Sequence, residues 1–243
     1  MNEQLFKQLT QAKHASRHMM TMNTQSKNQA LIKIAQALKE HVLEIINENQ
    51  KDIEHAKASG MSDAMVDRLL LNEDRIVAMA DDVLKLVSLD DPVGDIIREI
   101  KRPNGLLIKQ VRVPIGIFGI IYESRPNVTV DIACLCIKSG NVCVLKGGKE
   151  AMHSNRILTK LMREAIKETL PVDCVQLIDY GGREMVDELI HAYGYVDVVV
   201  PRGGAGLIQH VVQNATVPVI ETGAGNCHLY IDKEADLKKA IDI

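Results

Sequence analysis

Tryptophan is absent from this chain of 243 residues, which carries only two Phe and five Tyr. So few aromatic faces leave little on which nucleic-acid bases could stack. Charge of one sign is missing too. Lys and Arg number 29 against 32 Asp and Glu, a formal net charge of -3, so nothing draws the chain as a whole to nucleic acid or an anionic membrane. No apolar run is long enough to span a bilayer, and no partnership with a membrane is expected. The first twenty residues lack an apolar signal core after a basic start, so the cytoplasm is the expected compartment.

A disulfide or metal framework is lacking as well. The five cysteines are odd in number, and Cys134, Cys136, Cys143 and Cys174 sit mostly in apolar stretches, which suits reduced, buried thiols. Cys134 and Cys136 form C-x-C rather than C-x-x-C, and no second cysteine pair or spaced histidine pair completes a zinc site. No metal is expected.

What is present begins with helical periodicity. Leu31, Ile34, Leu38, Val42, Ile45 and Ile46 recur at helical spacing and form one stripe, with Thr24 or Ser26 as its cap. A second stretch opens near Ser62, and a third, capped by Asn72, carries Ile76, Met79 and Val83 on one side before Asp90-Asp91-Pro92 stops it. The period then changes. Ile96–Lys101 and Leu107–Val113 flank Pro103-Asn104-Gly105, and Asn-Gly between such runs predicts a hairpin. A two-stranded ribbon is marginal alone and its edges can pair with another chain, so it is a candidate oligomerisation arm; a hairpin closed on its own domain is the other reading.

From Pro114 onward short apolar runs alternate with helical stretches. The runs are Ile115–Ile121, Val142–Leu145, Cys174–Ile178, Val196–Val200 and Val217–Ile220; the helices are Val128–Lys138, Ala151–Leu170, Arg183–Tyr193 and Gly203–Asn214. Uninterrupted β-branched runs between helices predict an α/β fold with a parallel sheet covered on both faces, and such sheets bind ligands at the carboxyl ends of their strands. Three of those ends are glycine-rich: Lys146-Gly147-Gly148-Lys149-Glu150, Pro201-Arg202-Gly203-Gly204-Ala205-Gly206 and Glu221-Thr222-Gly223-Ala224-Gly225-Asn226. Glycines there let a ligand approach the backbone and leave amide groups at helix starts for an anion. Each junction alone reads more readily as a tight turn; three on one sheet edge point to a nucleotide site. Neither common fingerprint fits. Lys149 is followed by Glu150, which rules out a P-loop, and His228 stands where G-x-G-x-x-G after Gly223 and Gly225 would need its third glycine.

Three segments resemble a known family: YESRPN (Tyr122–Asn127) within Pro114–Asn155, PRGGAG (Pro201–Gly206) within Val198–Asp232, and DRLLLNEDRI (Asp67–Ile76). They are similar to the γ-glutamyl phosphate reductases, a branch of the aldehyde dehydrogenase superfamily, and the likeness runs along essentially the whole chain. It implies a modified Rossmann domain without the glycine fingerprint. It also implies NADPH-dependent reduction of L-glutamyl 5-phosphate to glutamate 5-semialdehyde with release of phosphate, the second step of proline synthesis. In that chemistry a cysteine thiolate attacks the acyl phosphate, and hydride then releases the aldehyde.

The resemblance assigns roles by position. Lys146 matches the lysine that meets the adenosine ribose or 2′-phosphate of NADP(H). Gly147 and Gly148 would let the cofactor lie close, and Arg202, Gly203, Gly204 and Gly206 fall in the pyrophosphate loop. Glu221 matches a general base. Ser124 stands where relatives place an oxyanion-binding asparagine, with Asn127 as the nearby alternative donor. Arg125 is an expected clamp for substrate phosphate or carboxylate, since a guanidinium fork suits both; an ion pair within the fold is its other reading. Association with glutamate 5-kinase is a further implied partnership.

The family's cysteine segment has no counterpart here. Cys227-His228 is the nearest alternative, but adjacent strand residues point to opposite faces. The chain is therefore expected to be one NADP-binding domain over residues 1–243, with helices over 1–92, the hairpin arm near 96–113 and the α/β core over 114–243. A catalytic domain and nucleophile would be absent, and the chain alone inactive. The alternatives are a non-catalytic nucleotide-binding fragment and a structural remnant.

Overall fold

The computed structural model describes residues 1–221 and 227–242. Five helices open the chain: α1 (Glu3–Met19), α2 (Thr24–Glu40), α3 (Val42–Ala58), α4 (Asp63–Leu69) and α5 (Glu73–Ser88). The stripe expected as one helix is divided. It breaks at His41, whose φ of -109° and ψ of 23° leave the helical region, while the apolar spacing carries on into α3. The cap of α2 is neither Thr24 nor Ser26. Asn23 accepts from the Ser26 N–H at 2.8 Å, and the Thr24 hydroxyl donates to Asp91 instead. Asn72 caps α5 as its position suggests, accepting from the Arg75 N–H at 2.9 Å.

A hairpin follows, β1 (Ile96–Lys101) against β2 (Leu107–Val111), antiparallel and almost wholly exposed. Its turn differs from a two-residue Asn-Gly turn. Gly105 alone adopts positive φ, 86°; its N–H donates to Arg102 O, and Arg102 N–H donates to Leu106 O. That is a type I turn closed by a glycine in the left-handed region, which suits Pro103 because its ring already holds φ where the turn needs it.

The α/β part contains β3 (Ile117–Tyr122), β4 (Val142–Gly147), β5 (Val175–Leu177) and β6 (Val198–Arg202), parallel in the order β5-β4-β3-β6. The helices between and after them are α6 (Asn127–Lys138), α7 (Met152–Ile166), α8 (Glu184–Ile190) and α9 (Ala205–Asn214); α10 (Leu237–Ile241) lies further on. The fifth expected strand, Val217–Ile220, is reduced to a single parallel bridge, Val219 to Val199, closed by Val199 N–H to Pro218 O and Ile220 N–H to Val199 O. Pro218 has no N–H to continue a ladder.

Every residue of β4 is buried, as a central parallel strand covered on both sides requires. Helices α6 and α7 pack together over β4 and β5, α8 packs on β3, and α1 packs against β3, β4 and β5. With the usual right-handed crossovers, this strand order puts α6 and α7 on one face and α8 on the other. Helices α2, α3 and α5 form a second layer over α6 and α7. Two buried polar contacts fasten that layer. Lys27 pairs with Asp91 at 2.6 Å, their side chains 1% and 8% exposed. Asp52 of α3 accepts from His153 N–H, Ser154 N–H and Ser154 Oγ at 3.1, 2.8 and 2.6 Å, capping α7, which has no side-chain cap of its own.

Candidate active site

The carboxyl edge of the sheet gathers the residues singled out from the glycine-rich junctions. Tyr122, Gly147 and Arg202 end three neighbouring strands in register. The segment after Tyr122 and the one beginning at Arg202, with Met65 and Arg68 of α4, line a cleft of about 300 Å³ holding Glu123, Ser124, Arg125, Arg202, Gly203 and Gly204.

Lys146 is 6% exposed, and its Nζ donates to Tyr180 O at 3.2 Å across the ends of β4 and β5. Burial pulls the amine below an ordinary lysine, and the carboxylates of Glu184 and Asp179 oppose that in part. An ammonium with three donors and one long carbonyl contact has capacity to spare.

Two carboxylates that the sequence reading did not pick out occupy the same edge. Glu150 accepts from both the Ser124 N–H, at 3.0 Å, and the Ser124 Oγ, at 2.8 Å. Glu123 accepts from the Gly204 N–H at 2.8 Å. Both are visible in sequence only as charges next to a strand end. Ser124, buried, therefore has its hydroxyl proton committed, and Asn127, exposed, donates its amide to Asp131 at 2.9 Å. The Ser124 hydroxyl has no second proton to give in this arrangement, whereas the Asn127 amide keeps one N–H to spare. Arg125 and Arg202 are exposed on the cleft wall. Glu221 is exposed, two residues past the Val219 bridge, and so lies toward the same edge. The glycines of its junction, Gly223 and Gly225, lie outside the described residues.

The glycines divide into two kinds. A Cβ on Gly147 would strike the Asn155 amide and the Tyr122 ring; on Gly148 it would strike Glu150, and on Gly203 Glu123. Those three make room for the protein's own side chains. At Gly204 a Cβ would meet nothing nearer than Glu123 at 3.8 Å, and at Gly206 nothing within 4 Å. Beside them the N-terminus of α9 carries no side-chain cap and no acidic residue in its first turn. A helix start flanked by bare glycine, where Glu123 takes the Gly204 N–H and no side chain takes the first-turn N–H groups, with Arg202 and Lys146 on the same edge, fits an anionic dinucleotide.

The thiols lie elsewhere. Burial pushes Cys134 and Cys174 well up, and the Cys136 hydrogen bond followed by burial does the same for Cys143; Cys227 is exposed. Among the described residues no group of three or more His, Cys, Asp or Glu could hold a metal, and no helix is long and apolar enough to cross a membrane.

Comparison with known proteins places this geometry. The chain is 54% identical over 230 residues to the γ-glutamyl phosphate reductase of Carboxydothermus hydrogenoformans, covering 94% of this chain and 55% of that protein. The crystal structure of the γ-glutamyl phosphate reductase from Thermotoga maritima superposes with a TM-score of 0.91 at 46% identity, over 98% of this chain and 58% of that one. The Saccharomyces cerevisiae enzyme of the same name gives 0.83 at 34% identity, over 96% and 60%. The chain thus spans somewhat more than half the length of these relatives. The aldehyde dehydrogenase family model matches residues 2–243, and that family implies a nicotinamide cofactor. With its modified Rossmann sheet and its glycine-bordered carboxyl edge, this chain belongs to the aldehyde dehydrogenase family.

Proposed function

We propose that the chain supplies the NADP(H)-binding part of a γ-glutamyl phosphate reductase, acting in the reduction of L-glutamyl 5-phosphate to glutamate 5-semialdehyde with release of phosphate. The observation that carries this is Lys146, a buried amine with unspent donors at the carboxyl end of β4, on the same sheet edge as the uncapped start of α9. Identity of 54% and 46% to proteins named for this reaction supports the assignment.

In this reading the Lys146 amine meets the ribose or 2′-phosphate of the cofactor. The first-turn N–H groups of α9 and the Arg202 guanidinium take the pyrophosphate, and Gly204 and Gly206 leave it room. Bound NADPH supplies a hydride. Arg125 clamps the substrate's phosphate or carboxylate, and Glu221 is placed as a base. Ser124 becomes an oxyanion donor only by turning away from Glu150, while Asn127 can offer its second amide N–H with the first still on Asp131. The hairpin serves self-association, and glutamate 5-kinase and a cytoplasmic setting belong to the same proposal.

A second reading is favoured by the thiols: with four of five cysteines buried, these residues bind nucleotide and do no chemistry alone. Titration with NADPH followed by its fluorescence tests the shared part. Micromolar binding, tighter than NADH, is the expected result, and no binding overturns the proposal. Semialdehyde-dependent reduction of NADP in phosphate buffer then divides the readings, with turnover by the purified chain excluding the inactive one.

A further inference from the structure

A second cleft, of about 350 Å³, adjoins the first and shares Arg68 and Arg125 with it; Asp67, Arg75, Asp82 and Asp131 complete its charged lining, with the amide of Asn127 beside them. Its charges are of two kinds. Some are already matched. Arg75 donates to Asp67 at 2.8 Å and to the carbonyls of Asp67 and Leu70, and Asp82 pairs with Lys85 at 2.7 Å. The others are not. Among the described residues Arg68 and Arg125 make no side-chain hydrogen bond or ion pair. Asp131, half-buried on α6, receives one neutral amide from Asn127 and no cation.

A partly buried carboxylate without a cation and two guanidiniums without an anion, on one cleft, are complementary to a ligand bearing both charges a bond or two apart. We propose that this cleft receives the α-amino and α-carboxylate groups of an α-amino acid, the ammonium on Asp131 and the carboxylate on Arg68. Arg125, common to both clefts, then stands between that head group and the reacting end of the substrate. Burial raises the Asp131 carboxyl above its ordinary range, against the lowering by the Asn127 amide and with a smaller push from Asp82, as expected of a site awaiting a cation. Arg68 comes from the helical layer and Asp131 from the α/β core, so recognition of the amino-acid end depends on both layers. The identity of the side chain, γ-glutamyl, rests on the function proposed above; the head-group recognition rests on this cleft.

Calorimetric titration of the 243-residue chain with L-glutamate, glutarate and 4-aminobutyrate tests it, because the latter two lack the α-ammonium and the α-carboxylate respectively. L-glutamate is expected to bind at millimolar concentration and each analogue at least tenfold more weakly. Asp131→Asn is expected to close the gap to glutarate, and Arg68→Gln the gap to 4-aminobutyrate. Equal binding of L-glutamate and glutarate by the unaltered chain, or no L-glutamate binding, overturns the proposal, and this comparison stands even if a variant fails to fold. NADPH titrated in parallel separates the two ideas. NADPH binding without glutamate discrimination removes this inference alone, and the reverse result removes the cofactor reading alone.

Discussion

The carboxylate of Glu123, the residue after β3, accepts the backbone N–H of Gly204 at 2.8 Å. It ties the ends of two neighbouring strands together and sets a negative charge at the start of α9, where the proposed ligand brings its own. With Glu123 on the Gly204 N–H and a diphosphate on the first-turn N–H groups, two like charges would sit at one helix start. Removing a like charge at a helix start is worth about 1 kcal/mol, or roughly fivefold in affinity. Glu123→Gln should therefore tighten binding of inorganic pyrophosphate about fivefold by calorimetry; weaker binding would mean the carboxylate builds the loop rather than screening it.

Lys146 offers a pH signature. Its amine is held below the ordinary lysine value, chiefly by burial, so it loses its charge at a lower pH than an exposed lysine. Preference for NADPH over NADH should fall as pH rises through that lowered value. Lys146→Met should remove the preference at all pH, with at least a tenfold loss of NADPH affinity in a fluorescence titration.

The Lys27–Asp91 pair should govern acid stability. Burial alone would raise the Asp91 carboxyl, but hydrogen bonds from Lys27, Thr24 and the Val93 N–H outweigh it and leave the group lowered. A depressed folded-state pKa stabilises above the unfolded value and loses that stabilisation as pH falls through the folded one. Thermal midpoints should drop below about pH 4, where free aspartate titrates. Lys27→Met, which strands the buried carboxylate, should cost about 3–5 kcal/mol in urea unfolding near neutrality. Lys27→Met with Asp91→Leu should recover part of that.

Gly147 tests the close packing behind the cleft. An added Cβ would lie 3.0 Å from the Tyr122 ring and closer still to the Asn155 amide, and neither has room to retreat inside the core. Gly147→Ala should destabilise by about 1–3 kcal/mol by urea titration. Gly206→Ala, with open space around it, should leave stability nearly unchanged and weaken NADPH binding instead.

The exposed hairpin presents Ile97 and Ile108 at 55% and 44% exposure. If it is the self-association arm, Ile108→Asp should lower the mass seen by size-exclusion chromatography with light scattering while leaving the thermal midpoint of the core in place. An unchanged mass would return the hairpin to its own domain.

The layered α/β plan was legible because β-branched runs and amphipathic stretches have different periods, and Asn72 was legible because its cap is local. The break at His41 was hidden, since the apolar stripe runs through it into α3. The Val217–Ile220 run looks like a strand by composition, yet Pro218 limits it to one bridge. Lys146, Arg202 and the glycines stood out because they punctuate strand ends. Glu123 and Glu150 did not, because what matters is the amide or hydroxyl each reaches in a neighbouring segment. Arg68 falls in the DRLLLNEDRI segment, but nothing there gives it a role: it is an exposed arginine on a seven-residue helix, brought to Asp131 only by packing between layers.

The cap that Asp52 provides to α7 is supplied by a residue made about a hundred positions earlier in the chain. During synthesis the amino-terminal helices must wait, with Asp52 unpaired, until Ser154 has emerged, and α7 cannot settle its first turn until α3 reaches it. Such long-range closure slows folding. The two layers are therefore expected to form as one cooperative event only after Ser154 has emerged, leaving the early helices exposed to chaperones and proteases in the interval.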